Sequence, residues 1–415
     1  MSKLKWLYPG MLIKRWISLS VFGIILVSMG FVIVISERSS ENRTIAGAII
    51  VVGILCMVFA VKRILKSFVT VLVPQKTDND LVEKIYVKRI LEKGPKIVVI
   101  GGGTGLATLL MGLKQKTSNI TAIVTVADDG GSSGRLREEF GVLPPGDIRN
   151  CLVALSDAEE LLGALFQFRF TEGKELEGHN FGNLFITALS KVTGDFAKAI
   201  RESSKVLAIR GDVFPATLER VKLIAKRENG RETVGESRIR EERGSPIDWM
   251  VLMPGNCKAT PESVEAIREA DIIVLGPGSL FTSVMPNLLI KGIKEAVTSS
   301  KALKMYVCNV MTEAGETDLY SVSDHVKAII KHTSPRIMDY CIGNITRIPE
   351  GLYNKYKMKE QYPVQFDAKD EKWFKREKIK LVKAPIASMK EFVRHDSVKL
   401  ANVIMNTYNS SREGK

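Results

Sequence analysis

The 415-residue sequence is poor in cysteine, histidine and aromatic residues: five cysteines, four histidines, and Phe, Trp and Tyr together at 7%. Cys56, Cys151, Cys257, Cys308 and Cys341 are far apart and odd in number, and no C-x-x-C pair occurs. This argues against a disulfide framework and a zinc site, and it places the chain in a reducing compartment. Lys and Arg exceed Asp and Glu by 14, yet no basic stripe interleaved with aromatics is present, which argues against a nucleic-acid partner. Half of the excess lies in residues 1–66, with nine Lys/Arg against two Asp/Glu, where a membrane explains it better. The glycines after Ile100 do not make a strict G-x-G-x-x-G/A, because the sixth position is Leu106 from Gly101 and Thr108 from Gly103. No Lys-Ser or Lys-Thr pair follows them at P-loop spacing, so a P-loop is absent as well. With no convincing catalytic His, Lys and Tyr set, a nicotinamide oxidoreductase is disfavoured.

Two long apolar runs are present near the start. Residues 16–35 carry no charge and, at about 1.5 Å per residue, match the roughly 30 Å core of a bilayer. Residues 45–61 form a second run at the lower limit of a span. Lys3, Lys5, Lys14 and Arg15 precede the first, and Lys62, Arg63 and Lys66 follow the second. Positive charge at both outer ends predicts a transmembrane hairpin over 1–66, multi-pass in the cell membrane, with both termini and the main domain cytoplasmic. No small-x-small cleavage signal follows the first run, which argues against a signal peptide. Residues 67–94 read as a linker, leaving the membrane near Pro74, with a short helix over 80–94 capped by Asp78, Asn79 or Asp80. Pro95 then marks the start of an α/β domain over 95–415.

That domain is organised around residues 96–150. A Val/Ile run, 97–100, meets Gly101, Gly102 and Gly103, and Thr104 and Gly105 lead into Leu106, Leu109, Leu110 and Leu113 at helical spacing. A buried strand thus turns into a helix whose first amides face one space, and a phosphate is the usual occupant of such a space. A second strand, 120–126, ends in Asp128 and Asp129, followed by a Gly/Ser run with Ser132, Ser133, Arg135 and Arg137. Carboxylates at that position read a ribose or hold a metal, so Mg²⁺ is the one cofactor considered, with Asp129 as its ligand. The stiff loop LPPGD precedes Asp147, Arg149 and Asn150. Asp147 reads equally as the cap of a helix over 148–155 or as a ligand contact.

Further along, helices are expected over 161–170 and 184–192, the latter preceded by His179, Asn180 and Asn183. His179 reads as a hydrogen-bonded structural residue before it reads as a general acid/base. Asn180 and Asn183, three apart, present their amides to one side of the helix start. Asn229-Gly230 between alternating runs signals a hairpin, so a charged β-excursion is expected over about 218–253, with Arg238, Arg240, Glu241, Glu242 and Arg243 as a solvated face. A helix from Pro261, capped by Thr260, delivers a strand over 271–275 that ends in Gly276, Pro277, Gly278 and Ser279. This second strand-to-glycine-to-helix junction, with the first, suggests two half-sites at the carboxyl edge of a parallel sheet. A helix over 286–298 and a strand over 305–310 complete a further βα unit. Met311, Thr312, Gly315, Glu316 and Thr317 follow that strand at the cleft edge, and Ser323, Asp324 and His325 begin a helix reaching His332.

GGGTGL, ADDGGSSGRLR and LPPGDIRNCLVAL together resemble the YvcK or gluconeogenesis factor family, a branch of the CofD-like superfamily. The likeness continues through GHNFGNL, FPATLERVKL, ADIIVLGPGSLFTSVMPNLL and NVMTEAGETDLYSVSDHV to RHD at 394–396, about three quarters of the chain. The resemblance implies a Rossmann-like three-layer α/β fold with a mostly parallel sheet. It implies a UDP-sugar ligand, UDP-N-acetylglucosamine, and a regulator of cell shape and envelope synthesis linked to carbon supply. Envelope-synthesis proteins and a second copy of the chain are the partners it admits. Pro215 and Thr217 match family positions near the ligand, and Tyr356 and Arg394 match an aromatic and an Arg near the nucleotide. A solvent-facing Tyr and a salt-bridged Arg are equally good readings of those last two. The other branch, which transfers a phospho-lactyl group from a nucleotide diphosphate to a deazaflavin, is the alternative function. Family members mostly begin near the first glycine strand, whereas this chain carries 95 residues ahead of it.

Overall fold

The structure, a computed structural model, describes residues 13–36, 39–72, 89–158, 160–389 and 392–413, which fall into two compact units divided after Lys88. The expected linker cap at Asp78, Asn79 or Asp80, the turn at Pro74 and the leading Lys3 and Lys5 lie outside these residues. The second unit begins six residues before the boundary expected at Pro95.

In the first unit, helices Ile13–Ser36 and Ser40–Leu72 form a hairpin. Windows at Lys14–Ser36 and Glu41–Ser67 have mean hydropathies of 2.6 and 2.8, long and apolar enough to cross a membrane. The helices meet through small residues. A Cβ on Gly23 would lie 2.7 Å from the Gly53 carbonyl oxygen, and one on Gly53 equally close to that of Gly23. Ala46 and Ala60 are fully buried in the same seam, while Ile25, Phe31, Val32 and Leu55 are more than half exposed on the outside. Close backbone approach at small residues is how helices pack where the surroundings are as apolar as their side chains. At one end Trp16 packs edge-on to Phe59, and the Arg63 guanidinium lies over both rings.

The second unit is built on a seven-stranded sheet with the order β10-β9-β8-β7-β1-β2-β3, all six pairings parallel. The strands are β1 Ile97–Gly101, β2 Ile120–Val124, β3 Asp212–Pro215, β7 Ile272–Leu275, β8 Leu303–Val307, β9 Tyr340–Asn344 and β10 Lys380–Ala384. β1 (IVVIG) and β7 (IIVL) are buried along their whole length, as strands covered on both faces must be. Helix Gly103–Leu113 carries Leu106, Leu109, Leu110 and Leu113 into the core, each 0% exposed. From β1 the order runs outward through β2 and β3 on one side, and through β7 to β10 on the other. The direction of winding therefore reverses between β1 and β7, which is where an open α/β sheet leaves a crevice at its carboxyl ends.

The β-excursion is a separate antiparallel sheet of β4 Lys222–Arg227, β5 Glu232–Val234 and β6 Ile247–Met253, with a short helix Glu236–Glu241 between β5 and β6. A last small pair, β11 Ala387–Met389 with β12 Val393–His395, precedes the closing helix Ser397–Glu413. Several expected boundaries shift. The helix expected over 161–170 is Glu160–Gln167, and the strand expected over 305–310 is Leu303–Val307. The helix expected over 286–298 forms two pieces, Met285–Leu288 and Ile293–Ser299, with Leu280–Val284 just before them. The gap between the pieces ends at Gly292 with φ +105°, and in the first piece Asn287 donates through Nδ2 to the carbonyls of Ser283 and Gly101. The second bond ties the segment to the end of β1.

Candidate functional site

The register of the two central strands brings their glycine exits together. Ile100 pairs with Leu275, and the Gly276 amide donates to the Ile100 carbonyl. A Cβ on Gly105 would lie 2.9 Å from the Pro277 carbonyl oxygen, so only glycine lets the two turns touch at this point. Both exits open on one cleft of about 420 Å³, within the range of small-molecule sites. Of the residues expected at a ligand, Gly103, Thr104, Gly105, Asp147, Asn150, Pro277, Gly278, Ser279, Thr312, Tyr356 and Arg394 line it. Gly102 and Gly276 lie immediately behind this lining, at the turn itself.

Asp147 is not the cap of its helix. That helix is Gly146–Leu155 with Pro145 at the N-cap, so Asp147 sits inside the first turn. Its carboxylate is held against the glycine turn, where a Cβ on Gly102 would come within 2.6 Å of Oδ2. Burial, followed by the neighbouring charge of Asp128, raises it to about 6, against the Gly103 amide that it accepts from. The Tyr356 hydroxyl accepts the Val393 amide at 3.0 Å, which fixes β12 beside the opening. The Arg394 guanidinium lies over the Phe392 ring and makes no ion pair among the described residues.

The remaining expected residues lie apart from this lining. Asp128 accepts the Gly130 amide at 2.9 Å, and both oxygens of Asp129 accept amides, from Glu236 at 3.0 Å and Ser237 at 2.9 Å. Asp129 therefore anchors the start of the excursion's short helix instead of facing the cleft. The Gly/Ser run is the first turn of helix Gly131–Phe140, and its rotation points the serines elsewhere. Ser132 Oγ is 3.1 Å from His179 Nδ1 and accepts the Asn180 amide, while Ser133 Oγ accepts the Gly146 amide. Arg135 donates to the Glu177 carbonyl. Asn180 caps helix Phe181–Thr193 by accepting the Asn183 amide, and its Nδ2 donates to the Gln167 carbonyl. His179 is buried with its basicity lowered, first by desolvation and then by Arg135, which suits a neutral structural ring. Pro215 and Thr217 are likewise buried below the cleft, with the Pro215 carbonyl accepting Thr260 Oγ1.

Other groups reach the cleft that the sequence did not single out for it. Thr108 follows Thr104 by one turn on the same helix face, a spacing that was readable. His395 belongs to the RHD triplet; burial lowers it to about 4, so it is neutral, and its Nε2 lies 3.2 Å from the Cys308 carbonyl. Glu313 bonds Ser279 Oγ; Glu316, expected at the cleft edge, lies behind the lining and accepts from Thr282 at 3.2 Å, and burial raises both carboxyl groups. Arg240, read as part of a solvated face, is exposed into this cleft. Among the described residues, no group of three or more His, Cys, Asp or Glu is placed to hold a metal ion. Both oxygens of Asp129, the residue expected to hold Mg²⁺, accept amides at the start of the excursion's helix.

The sequence profile of the family described as 2-phospho-L-lactate transferase CofD matches residues 97–387, from the first residue of β1 into β11. The chain belongs to the CofD family. Within it, the chain is 48% identical to the gluconeogenesis factor of Bacillus subtilis, over 75% of this chain and 98% of that protein. A relative from Clostridium acetobutylicum is 44% identical over 98% of this chain and 92% of its own length, so that family member shares the N-terminal hairpin region too. The expectation that relatives begin near β1 holds for the first and not for the second. The crystal structure of a Bacillus halodurans protein superposes with a TM-score of 0.73 at 46% identity, covering 75% of this chain and all of that one.

Proposed function

We propose that this protein is a nucleotide-sugar-binding regulator, taking UDP-N-acetylglucosamine or a close UDP-sugar, and linking carbon supply to cell shape and envelope synthesis. The observation that carries the reading is the meeting of two glycine-lined strand exits at the switch point of the sheet. The helix that starts at Gly103 directs its first amides and the positive end of its dipole into the cleft, where a diphosphate is stabilised. Asp147, Asn150 and Thr312 supply the polar groups that a ribose or sugar hydroxyl bonds. Relatives named as gluconeogenesis factors, from B. subtilis and Halalkalibacterium halodurans, support a regulator. The hairpin supports tethering at the cytoplasmic face of the cell membrane, where envelope precursors are assembled.

A second reading follows from the family description: transfer of a phospho-lactyl group from a nucleotide diphosphate to a deazaflavin. The two separate in one thermal-melt series on the full-length protein in detergent. UDP-N-acetylglucosamine at about 100 times its Kd raises unfolding free energy by about 2.7 kcal/mol, and GDP does not. A shift with GDP and turnover of added deazaflavin would favour the transferase. No shift with any UDP-sugar overturns the regulator.

A further inference from the structure

The excursion carries two arginines whose surroundings differ. Arg227, on β4, has a fully buried side chain, and its guanidinium is saturated. It donates to the carbonyls of Ser245, Gly315, Ile239 and Glu242 and to Thr233 Oγ1. Two of those carbonyls, Ile239 and Glu242, bracket the end of the short helix Glu236–Glu241, and the amides at its start are held by Asp129. The helix is thus pinned at both ends, against the loop after β2 and against the loop after β8. Arg240 projects from it into the cleft with 58% of its side chain exposed. Its guanidinium makes one side-chain hydrogen bond among the described residues, a long one of 3.3 Å from Nη1 to Glu236 Oε1. An arginine has five N–H donors, so most of this one's capacity is unspent.

The electrostatic setting explains why it is kept there. Glu236 on its own helix, Glu316 and Glu313 from the loop after β8, Asp147 in the cleft lining and Asp128 behind it all act on it. Such a wall repels an anion unless a cation stands among the acids. Of the cleft-lining cations, Arg394 is engaged with an aromatic ring at β12, whereas Arg240 stands on the excursion. We propose that Arg240 is the cation that receives the ligand's diphosphate, and that Glu236 holds it in the free protein and surrenders it on binding. A diphosphate carries more charge than one carboxylate and matches the planar guanidinium at two points, so the exchange favours the ligand. The inference rests on the nucleotide-sugar reading of the cleft and adds to it the excursion as the part that selects for a diphosphate.

The test is isothermal titration of UDP-N-acetylglucosamine into the full-length protein in detergent at pH 8. At that pH Glu236, which burial raises to about 7, is ionised. Arg240→Met lowers affinity by about ten- to a hundredfold, the usual cost of a charged hydrogen bond. Arg240→Lys retains part of it. Glu236→Gln, which frees the guanidinium, raises affinity about twofold or more, and adding Arg240→Met to it abolishes the gain. The melting temperature of each variant without ligand shows that it folds. A structural role for the pair predicts the other pattern, with both single variants weakening binding alike, and that result overturns the proposal. So does an Arg240→Met protein that binds within twofold of wild type. If wild type fails to bind, the reading of the cleft falls and this inference falls with it; if wild type binds and Arg240→Met is unaffected, the inference alone is lost.

Discussion

Ile25 in the first helix is 56% exposed and Ile100 in β1 is 0% exposed, although both sit in runs of aliphatic residues. The hairpin keeps glycine and alanine inside and turns its large apolar side chains outward, whereas the α/β domain does the reverse. In water, burying Ile100 stabilises the fold through the hydrophobic effect. With the hairpin in a membrane, as proposed above, burying Ile25 would bring no such gain, and helices there meet where their backbones can come closest.

The largest effect that separates the two regions is a matched pair of truncations. Ile100→Ala leaves a cavity between sheet and helix and lowers the domain's unfolding free energy by about 2–5 kcal/mol in urea titrations. Ile25→Ala leaves the same titration unchanged. An equal loss from both would mean that the hairpin is part of the domain's core.

Titration distinguishes them next, because the apolar windows of the hairpin hold no buried carboxylate and the cleft does. Asp147 is raised from 3.8 to about 6, so between those pH values the native state keeps a proton that the unfolded chain has lost. Stability from this group therefore falls as pH rises through the window. Asp147→Asn removes that slope: it gains about 1–3 kcal/mol over wild type at pH 7.5 and nothing near pH 4. Equal stability of the two proteins at pH 7.5 would show that the carboxylate is solvated. Trp16 fluorescence, reporting on the hairpin, stays flat over the same range.

Two smaller effects belong to the hairpin alone. Gly53→Leu must push its side chain against the Gly23 backbone, which costs about 1–3 kcal/mol of helix association. A changed Trp16 emission with an unaltered melting transition of the domain is the expected signature. Arg63→Ala removes the cation from the Trp16 and Phe59 rings and costs about 0.5–1 kcal/mol, read as a shift in Trp16 emission. A shift in the domain's melting temperature from either variant would contradict the separation.

Much of the site was legible because it depends on neighbours in sequence. The glycine turns at Gly101–Gly105 and Gly276–Gly278, with the strands feeding them, announce themselves by Val/Ile runs that end in glycine. Arg240 was not legible, since nothing in RIREERG distinguishes a residue facing solvent from one facing a cleft across the fold. The carboxylates misled for a related reason. Asp128 and Asp129 follow β2 as a ligand pair would, but the excursion, more than a hundred residues later, supplies the amides that occupy Asp129.

Local order alone dictated the two apolar helices, the parallel α/β domain and the turns where backbone must pass without a side chain, because periodicity and glycine act over a few residues. The strand order, the pairing of β1 with β7 and the choice of which polar groups enter the cleft were settled only in three dimensions. Those depend on contacts between segments from about twenty to 175 residues apart, the longest being β1 with β7, and their partners are not written beside them in the chain.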